Sequence, residues 1–146
     1  MTSASGWIKS KLLGVLSNRW LTTVVLIVTF DIITYFAFAK TGGAPAFKNQ
    51  DKVLHALAFL VLTILGHLSL HFDVFRKRQK LSWFLLIFND VAWSVYGVLV
   101  ELGQKMVQYR QASVGDFIAD VVGVLIGTWL ILAMRLYPEQ KAEDHG

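Results

Sequence analysis

The sequence predicts an all-helical (all-α) protein that crosses a membrane four times. Hydrophobic residues make up 55% of the 146 residues, charged residues make up only 16%, and the mean hydropathy is +0.52. The apolar residues form four stretches of roughly 20 residues, the length at which an α-helix spans the hydrocarbon core of a bilayer. Lipid offers no hydrogen-bond partners, so each stretch must satisfy its own backbone groups, and only a helix does this within a single segment.

Short polar connections separate the four predicted spans, which cover residues 21–39, 53–72, 81–102 and 114–132. We predict a cytoplasmic or interfacial N-terminal segment over residues 1–19, a four-helix membrane domain over residues 20–134 and a cytoplasmic tail over residues 135–146. Apolar side chains in residues 7–16 fall near one helical face, so we expect a short interfacial helix before the first span.

A cleaved signal peptide is the alternative interpretation of the first span. Three basic residues precede this span, and the sequence Ala-Phe-Ala at residues 37–39 matches the small-residue pattern of a cleavage site. However, the apolar stretch is longer than the apolar region of a usual signal peptide, and it carries Asp31 in its middle. We therefore interpret the first span as a transmembrane helix.

Lysine and arginine residues are distributed unevenly between the two sides of the membrane. Nine of them lie on the side that holds both chain termini and residues 76–80, and five lie on the opposite side. Cytoplasmic segments of membrane proteins are enriched in these residues, so we predict that both termini and residues 76–80 are cytoplasmic. The opposite, extracytoplasmic side is called the outer face below.

The distribution of charge argues against nucleic-acid binding, and the cysteine content excludes thiol chemistry. The formal net charge is +4, but the basic residues lie in short clusters between apolar spans, where they meet lipid head groups or set the orientation. We therefore predict no nucleic-acid partner. The chain contains no cysteine, which excludes disulfides and thiolate chemistry.

Polar residues from three spans and one connection gather at the outer face: Asp51, Lys52, His55, Glu101, Gln104, Arg110, Ser113, Asp116 and Asp120. Ionisable residues at span ends often reach the surrounding water, and this is sufficient to explain Asp51 or Lys52 taken alone. Asp116 and Asp120, however, lie inside the fourth span, four residues apart on one helical face. We therefore expect a functional site at the outer face rather than scattered interfacial charges.

Small residues continue inward from this polar cluster at helical spacing. On the fourth span, Gly123 and Gly127 follow Asp120 on the same face, and on the third span Gly97 precedes Glu101 by four residues. Small residues allow helices to approach closely in lipid. We expect these faces to form packing seams between the helices.

Other polar side chains lie away from the outer face. Asp31 and the pair Asn89 and Asp90 fall near mid-membrane, where we expect a buried hydrogen-bonded link, with a proton path as the alternative. His67 and His71 are four residues apart, a spacing that can hold a metal ion. No carboxylate or cysteine lies suitably beside them, so we expect interfacial histidines instead.

Four short motifs follow one another within residues 20–132: Asp51-Lys52-x-x-His55-x-x-x-Phe59, Glu101-x-x-Gln104, Arg110-x-x-Ser113-x-x-Asp116 and Gly123-x-x-x-Gly127. In this order and spacing they resemble the VanZ-like family of small bacterial membrane proteins. Two positions depart from the pattern of that family. Gln108-Tyr109 stands where the family often has Pro-Gly before the arginine, and Asp120 stands where it often has asparagine.

The resemblance implies a multi-pass protein of the bacterial cytoplasmic (inner) membrane. The founding member of the family is associated with resistance to teicoplanin, a lipoglycopeptide that acts on cell-wall precursors at the outer face of the membrane. The implied partners are therefore membrane lipids and either a cell-wall precursor or a lipoglycopeptide. The resemblance supplies no reaction and no cofactor.

Two functions remain open from the residues themselves. In the first, the cluster binds a lipid head group, a peptide or the polar end of an antibiotic, and Arg110 and Lys52 balance its carboxylates. In the second, the cluster is catalytic: His55 acts as general acid or base, Glu101 or Asp116 orients it, and Arg110 holds the substrate.

A metal-dependent form of the second function would use His55, Glu101, Asp116 and Asp120 as ligands. The sequence contains no nucleophile motif and no glycine-rich phosphate loop. We therefore favour binding and assign no residue as a metal ligand. A transporter is a third alternative, for which four spans leave little room unless the chain forms a homo-oligomer.

Overall fold

The computed structural model describes Gly14 and residues 20–40, 46–75, 81–107 and 113–134. Within these residues the chain forms four α-helices, α1 (Leu21–Phe38), α2 (Gln50–Leu68), α3 (Trp83–Lys105) and α4 (Val114–Ala133). A π-helical segment, Ser69–Val74, continues α2. All four helices are long and apolar enough to cross a membrane. The prediction of an all-helical membrane protein with four spans is confirmed, whereas of residues 7–16, where the interfacial helix is predicted, only Gly14 is described.

The packing seam predicted on the fourth span lies between α4 and α2, which pack more extensively than any other pair of helices in the described residues. A Cβ atom at Gly123 would overlap the carbonyl oxygen of Ala56, and one at Gly127 would lie 3.0 Å from the carbonyl oxygen of Leu60. The two glycines therefore bring the two backbones into close contact, as small residues do in membrane bundles.

The contacts between helices also define their directions. Residues 56 and 60 of α2 lie against residues 123 and 127 of α4, so these two helices run in the same direction. Helix α3 runs the opposite way, because Gly66 lies beside Asn89 while Phe59 lies beside Gly97. The first turns of α2 and α4 and the last turn of α3 consequently meet at one end of the bundle, called the site end below.

Helix α1 lies at the periphery and is held at both ends by polar side chains. At the site end, Gln104 Nε2 donates a hydrogen bond to the carbonyl oxygen of Ala37 at 2.9 Å. At the opposite end, Asp73 Oδ2 accepts hydrogen bonds from the hydroxyl of Thr22 and from the backbone and hydroxyl of Thr23. A carboxylate at the first turn of a helix satisfies a free N–H group and interacts favourably with the helix dipole.

The polar groups near mid-membrane bond to helices other than α1. Asn89 Nδ2 donates to the carbonyl oxygen of Thr63 at 3.0 Å, and the hydroxyl of Thr128 donates to Asp90 at 2.7 Å. Asp31 is exposed on α1. The predicted buried link therefore exists between α2, α3 and α4 but does not include Asp31, because the peripheral α1 turns that residue outward.

His67 and His71 are fully buried, and their rings stack with centroids 5.7 Å apart. They are therefore enclosed by other side chains, and their depth in the membrane stays a prediction. The helical path continues through the π-helical segment to Val74, so both imidazoles lie inside the bundle rather than at its rim.

Candidate functional site

A salt bridge between α2 and α4 lies at the rim of the site end. Lys52 Nζ is 3.0 Å from Asp116 Oδ1, and the side chains are 43% and 3% exposed, respectively. The two residues lie in the first turns of their helices, which run in the same direction and are therefore brought side by side. The lysine has free surface toward the surroundings, whereas the carboxylate is enclosed.

One helical turn deeper, the same two helices make a second polar contact. His55 Nδ1 is 2.8 Å from Asp120 Oδ1, with the imidazole side chain 11% exposed and the carboxylate 0% exposed. The sequence predicted Glu101 or Asp116 as the residue that orients His55, but Asp120 makes the hydrogen-bonded contact. A buried carboxylate in this position fixes the orientation and the tautomer of the imidazole.

Helix α3 contributes Glu101, which joins the site to the start of α4. Glu101 Oε2 accepts a hydrogen bond from the backbone N–H of Ser113 at 2.9 Å, and the hydroxyl of Ser113 accepts one from Gly115 at 3.1 Å. Ser113 is therefore the N-cap of α4. The other oxygen, Glu101 Oε1, is buried and has no hydrogen-bond partner among the described residues, and the same is true of Asp120 Oδ2.

The structure brings most of the sequence-predicted site residues together in two groups that share His55. In each group every residue offers one ligand atom, and these atoms lie within 4.8 Å of one another. The inner group consists of His55, Glu101 and Asp120, and the outer group consists of Asp51, His55 and Asp116. Within the described residues, four carboxylates thus lie around one lysine and one imidazole, so the site is acidic.

The remaining predicted residues have structural partners or lie elsewhere. The side-chain amide of Gln104 bonds to Ala37, and the hydroxyl of Ser113 caps α4, so their contact with a ligand stays a prediction. Asp51 is exposed at the rim. Arg110 lies outside the described residues, so its role as an anchor also stays a prediction.

Two glycines make room for the charged side chains, and sequence reasoning did not assign this role to either. A Cβ atom at Gly97 would lie 2.9 Å from Asp120 Oδ2, and one at Gly115 would lie 2.7 Å from Lys52 Cε. The sequence signal is their position relative to the motifs. Gly97 precedes Glu101 by one helical turn, and Gly115 directly precedes Asp116.

No family model, curated protein or solved structure matches this chain. The resemblance to the VanZ-like family therefore stays a prediction, and the function must be argued from the site. That site combines the half-exposed Lys52 at its rim, the oriented imidazole of His55, and the buried carboxylates of Glu101 and Asp120, which are called its floor below. Such a set can bind an anionic group at the rim, hold a cation at the floor, or transfer a proton through His55.

Proposed function

We propose that this chain is a VanZ-like integral membrane protein that binds the polar part of a lipid-linked or cell-envelope ligand at its site end. The observation that carries the proposal is the layered contact between α2 and α4. A half-exposed Lys52 is held by the enclosed Asp116, directly above the buried pair of His55 and Asp120.

The position of Lys52 supports binding of an anionic head group. Its ammonium is oriented by Asp116 on one side and is accessible on the other, and an ammonium has three hydrogens to donate. Lysine is a common ligand for phosphate and carboxylate groups. A lipid in the adjacent leaflet can present such a group at the depth of this residue, because Lys52 lies in the first turn of a membrane-spanning helix.

The burial of the carboxylates supports a site rather than solvated interfacial charges. Asp116 and Asp120 lie within α4, and neither is exposed to lipid or water to any large extent. Ionised groups inside membrane spans are rare unless they serve a function, because each one is unfavourable in a medium of low polarity.

The nature of the ligand follows from the predicted orientation and from the resemblance. Both assign the site end to the outer face of the bacterial cytoplasmic membrane, where cell-wall precursors and lipoglycopeptides are found. The proposed ligand is therefore a lipid-linked cell-wall precursor or the polar part of a lipoglycopeptide such as teicoplanin. On this basis the protein contributes to glycopeptide resistance.

A second candidate function is a membrane-embedded acid–base or metal-dependent enzyme that acts on a lipid head group or cell-wall precursor. The specific observation in its favour is the contact between His55 Nδ1 and Asp120 Oδ1. An imidazole oriented by a buried carboxylate is a frequent arrangement for a general base or acid.

The two functions are separated by measuring the binding and the integrity of one lipid. The purified protein in nanodiscs is titrated with a polyprenyl phosphate, and the products are analysed by mass spectrometry. Lys52→Ala should weaken binding by about tenfold, the effect of losing one charge-assisted hydrogen bond. Lys105→Ala is the matched control, because Lys105 is an exposed lysine at the same end of the bundle.

Equal affinities for the wild type and Lys52→Ala would contradict the binding proposal. Equal losses in both variants would show that the lysines attract anions without forming a site. Conversion of the lipid by the wild type, abolished in His55→Ala, would establish the enzyme instead.

A further inference from the structure

Two carboxylate oxygens in the floor of the site have no hydrogen-bond partner among the described residues, Glu101 Oε1 and Asp120 Oδ2. The residues that carry them are 8% and 0% exposed, respectively. Each carboxylate is held through its other oxygen, Glu101 by the backbone N–H of Ser113 and Asp120 by His55. A buried carboxylate oxygen that has no partner of its own is nevertheless unfavourable in a protein interior, and more so within a membrane span. A proton, a bound cation or a side chain outside the described residues can satisfy these oxygens.

The surrounding geometry favours the cation. His55, Glu101 and Asp120 come from three different helices, yet each brings one ligand atom to within 4.8 Å of the others. Ligand atoms lie about 2.0–2.2 Å from a divalent ion such as zinc, and hence roughly 3–4 Å from one another. A bound ion would therefore require these atoms to move closer together by roughly 1–2 Å at most.

We propose that His55, Glu101 and Asp120 bind a divalent transition-metal ion. One imidazole and two carboxylates form a ligand set that suits zinc or manganese, because imidazole favours the former and carboxylates favour the latter. Three protein ligands leave at least one coordination position for water or for an oxygen of a ligand. The inference rests on the proposed function and deepens it, since a phosphate at Lys52 would lie next to that open position.

The outer group is less suited to an ion, although its atoms also lie within 4.8 Å of one another. Asp116 is already paired with Lys52, and Asp51 is exposed to the surroundings. The charges of this group are thus balanced by a lysine and by solvation. The buried carboxylate oxygens without a partner among the described residues belong to the inner group, which places the ion there.

The residues around the inner group hold its ligands in place. The backbone N–H of Ser113 fixes Glu101 Oε2, and the absence of a side chain at Gly97 leaves the space beside Asp120 Oδ2. Hydrogen bonds of this kind orient the ligands in protein metal sites and contribute substantially to affinity.

Metal content measured on the full-length protein tests this inference. The protein is purified in detergent without a polyhistidine tag, stripped with a chelator and dialysed against ZnCl₂ or MnCl₂. Bound metal is then quantified by mass spectrometry, and Mn²⁺ affinity is measured by electron paramagnetic resonance. We expect about one ion per chain, as for a single three-residue site. A wild-type protein that binds no ion would overturn the inference.

Variants of the ligands should abolish this binding. His55→Ala, Glu101→Gln and Asp120→Asn should each weaken it by about 100-fold or more, since even indirect supporting residues contribute 10–100-fold. Asp31→Asn and Asp90→Asn are the matched controls, because each removes a carboxylate of a membrane span outside the site. Losses of equal size in the controls would show nonspecific binding and overturn the assignment.

Thermal unfolding with and without the ion distinguishes a variant that has lost the metal site from a variant that does not fold. The wild type should melt at a higher temperature with Zn²⁺ or Mn²⁺, and a folded ligand variant should show no such shift. If all three variants fail to fold, a Co²⁺ absorption spectrum of the wild type decides. Ligand-field bands of bound Co²⁺ support the site, and the spectrum of aqueous Co²⁺ alone overturns it.

The proposed metal site and the proposed lipid-binding function can be tested separately. Metal binding is measured without lipid, and polyprenyl phosphate binding is measured on the stripped and on the metal-loaded protein. Metal binding without lipid binding would contradict only the proposed function. Lipid binding with no bound metal in the wild type would contradict only the metal site.

Discussion

Asp120 and His55 join α4 to α2 through a contact of 2.8 Å between Oδ1 and Nδ1, and the carboxylate of this pair is fully buried. Removing the imidazole would take away the one side chain that contacts this carboxylate through a described hydrogen bond. We expect His55→Ala to lower the free energy of unfolding by about 3–5 kcal/mol, the typical effect of breaking a buried pair. Equilibrium unfolding in mixed detergent micelles measures this value.

The double variant His55→Ala/Asp120→Ala is the internal control for this prediction. If the loss in the single variant arises from an uncompensated carboxylate, the double variant should be more stable than the sum of the two single losses predicts. Additive losses would show that the two residues contribute independently, and the pair would then have no energetic coupling.

Gly123 determines how closely α4 approaches α2. A methyl group there would overlap the backbone carbonyl of Ala56, which cannot rotate away as a side chain can. We expect Gly123→Ala to destabilise the protein by about 1–3 kcal/mol, the range for overpacking a well-packed interior. Gly127→Ala should be milder, because its Cβ would lie 3.0 Å from the carbonyl oxygen of Leu60. A larger effect at residue 127 would contradict the described seam.

Much of the fold follows from hydropathy, but the helix ends do not. Helix α2 begins at Gln50 rather than at residue 53, and α3 extends to Lys105 rather than ending at residue 102. Hydropathy marks where a segment becomes apolar, whereas a helix continues through charged residues that are stable at an interface. Hydropathy also does not distinguish the π-helical segment, Ser69–Val74, from the α-helix that it continues.

The composition of the site was predictable, but its pairing was not. Spacing places Asp116 and Asp120 on one face of a helix, and this brings both toward α2. Which carboxylate meets His55 depends on the rotation of α4 about its axis and on its distance from α2. These are determined by contacts such as that of Gly123 with Ala56, which no periodicity within one helix reveals.

Asp73 connects the start of α1 to the end of the π-helical segment. Its Oδ2 atom accepts hydrogen bonds from the backbone N–H and the hydroxyl of Thr23, both at 2.8 Å. Asp73→Asn should lower the free energy of unfolding by about 0.3–2 kcal/mol, because a neutral amide lacks the charge that interacts favourably with the helix dipole. Asp31→Asn, which changes an exposed carboxylate of α1 away from this contact, should have little effect on stability. Equal stabilities of the Asp73 variant and the wild type would refute the capping role.

The orientation predicted from lysine and arginine can be tested directly, because the chain has no cysteine of its own. Single cysteines at Gln79 and Gln111 should react differently with a membrane-impermeant reagent in intact cells. We expect labelling at position 111 and none at position 79, since the connection between the second and third spans, which holds residue 79, is predicted to be cytoplasmic. The reverse pattern would place the site end in the cytoplasm and remove the argument for a cell-wall ligand.

Arg110 is predicted to anchor the ligand through the shape of its guanidinium group. It lies six residues after Gln104 and six residues before Asp116, in the connection between α3 and α4. A guanidinium binds a carboxylate or phosphate through two parallel hydrogen bonds, whereas an ammonium binds as a point charge. We therefore expect Arg110→Lys to weaken the binding of polyprenyl phosphate by an amount on the order of 2–5 kcal/mol, as for a buried anchoring charge.

The control for this change is Arg135→Lys, which alters an arginine just after the end of α4, away from the site end. The ion pairs of a solvent-exposed arginine contribute about 0–1 kcal/mol to stability. Replacement of such an arginine by lysine should therefore have no measurable effect. Expression, thermal stability in detergent and lipid binding are compared for both variants. Lysine preserves the charge. A loss of lipid binding that occurs only in Arg110→Lys would therefore identify the two parallel hydrogen bonds of the guanidinium as the cause. Wild-type behaviour of Arg110→Lys in all three measurements would reject the anchor and leave Lys52 as the cation that meets the ligand.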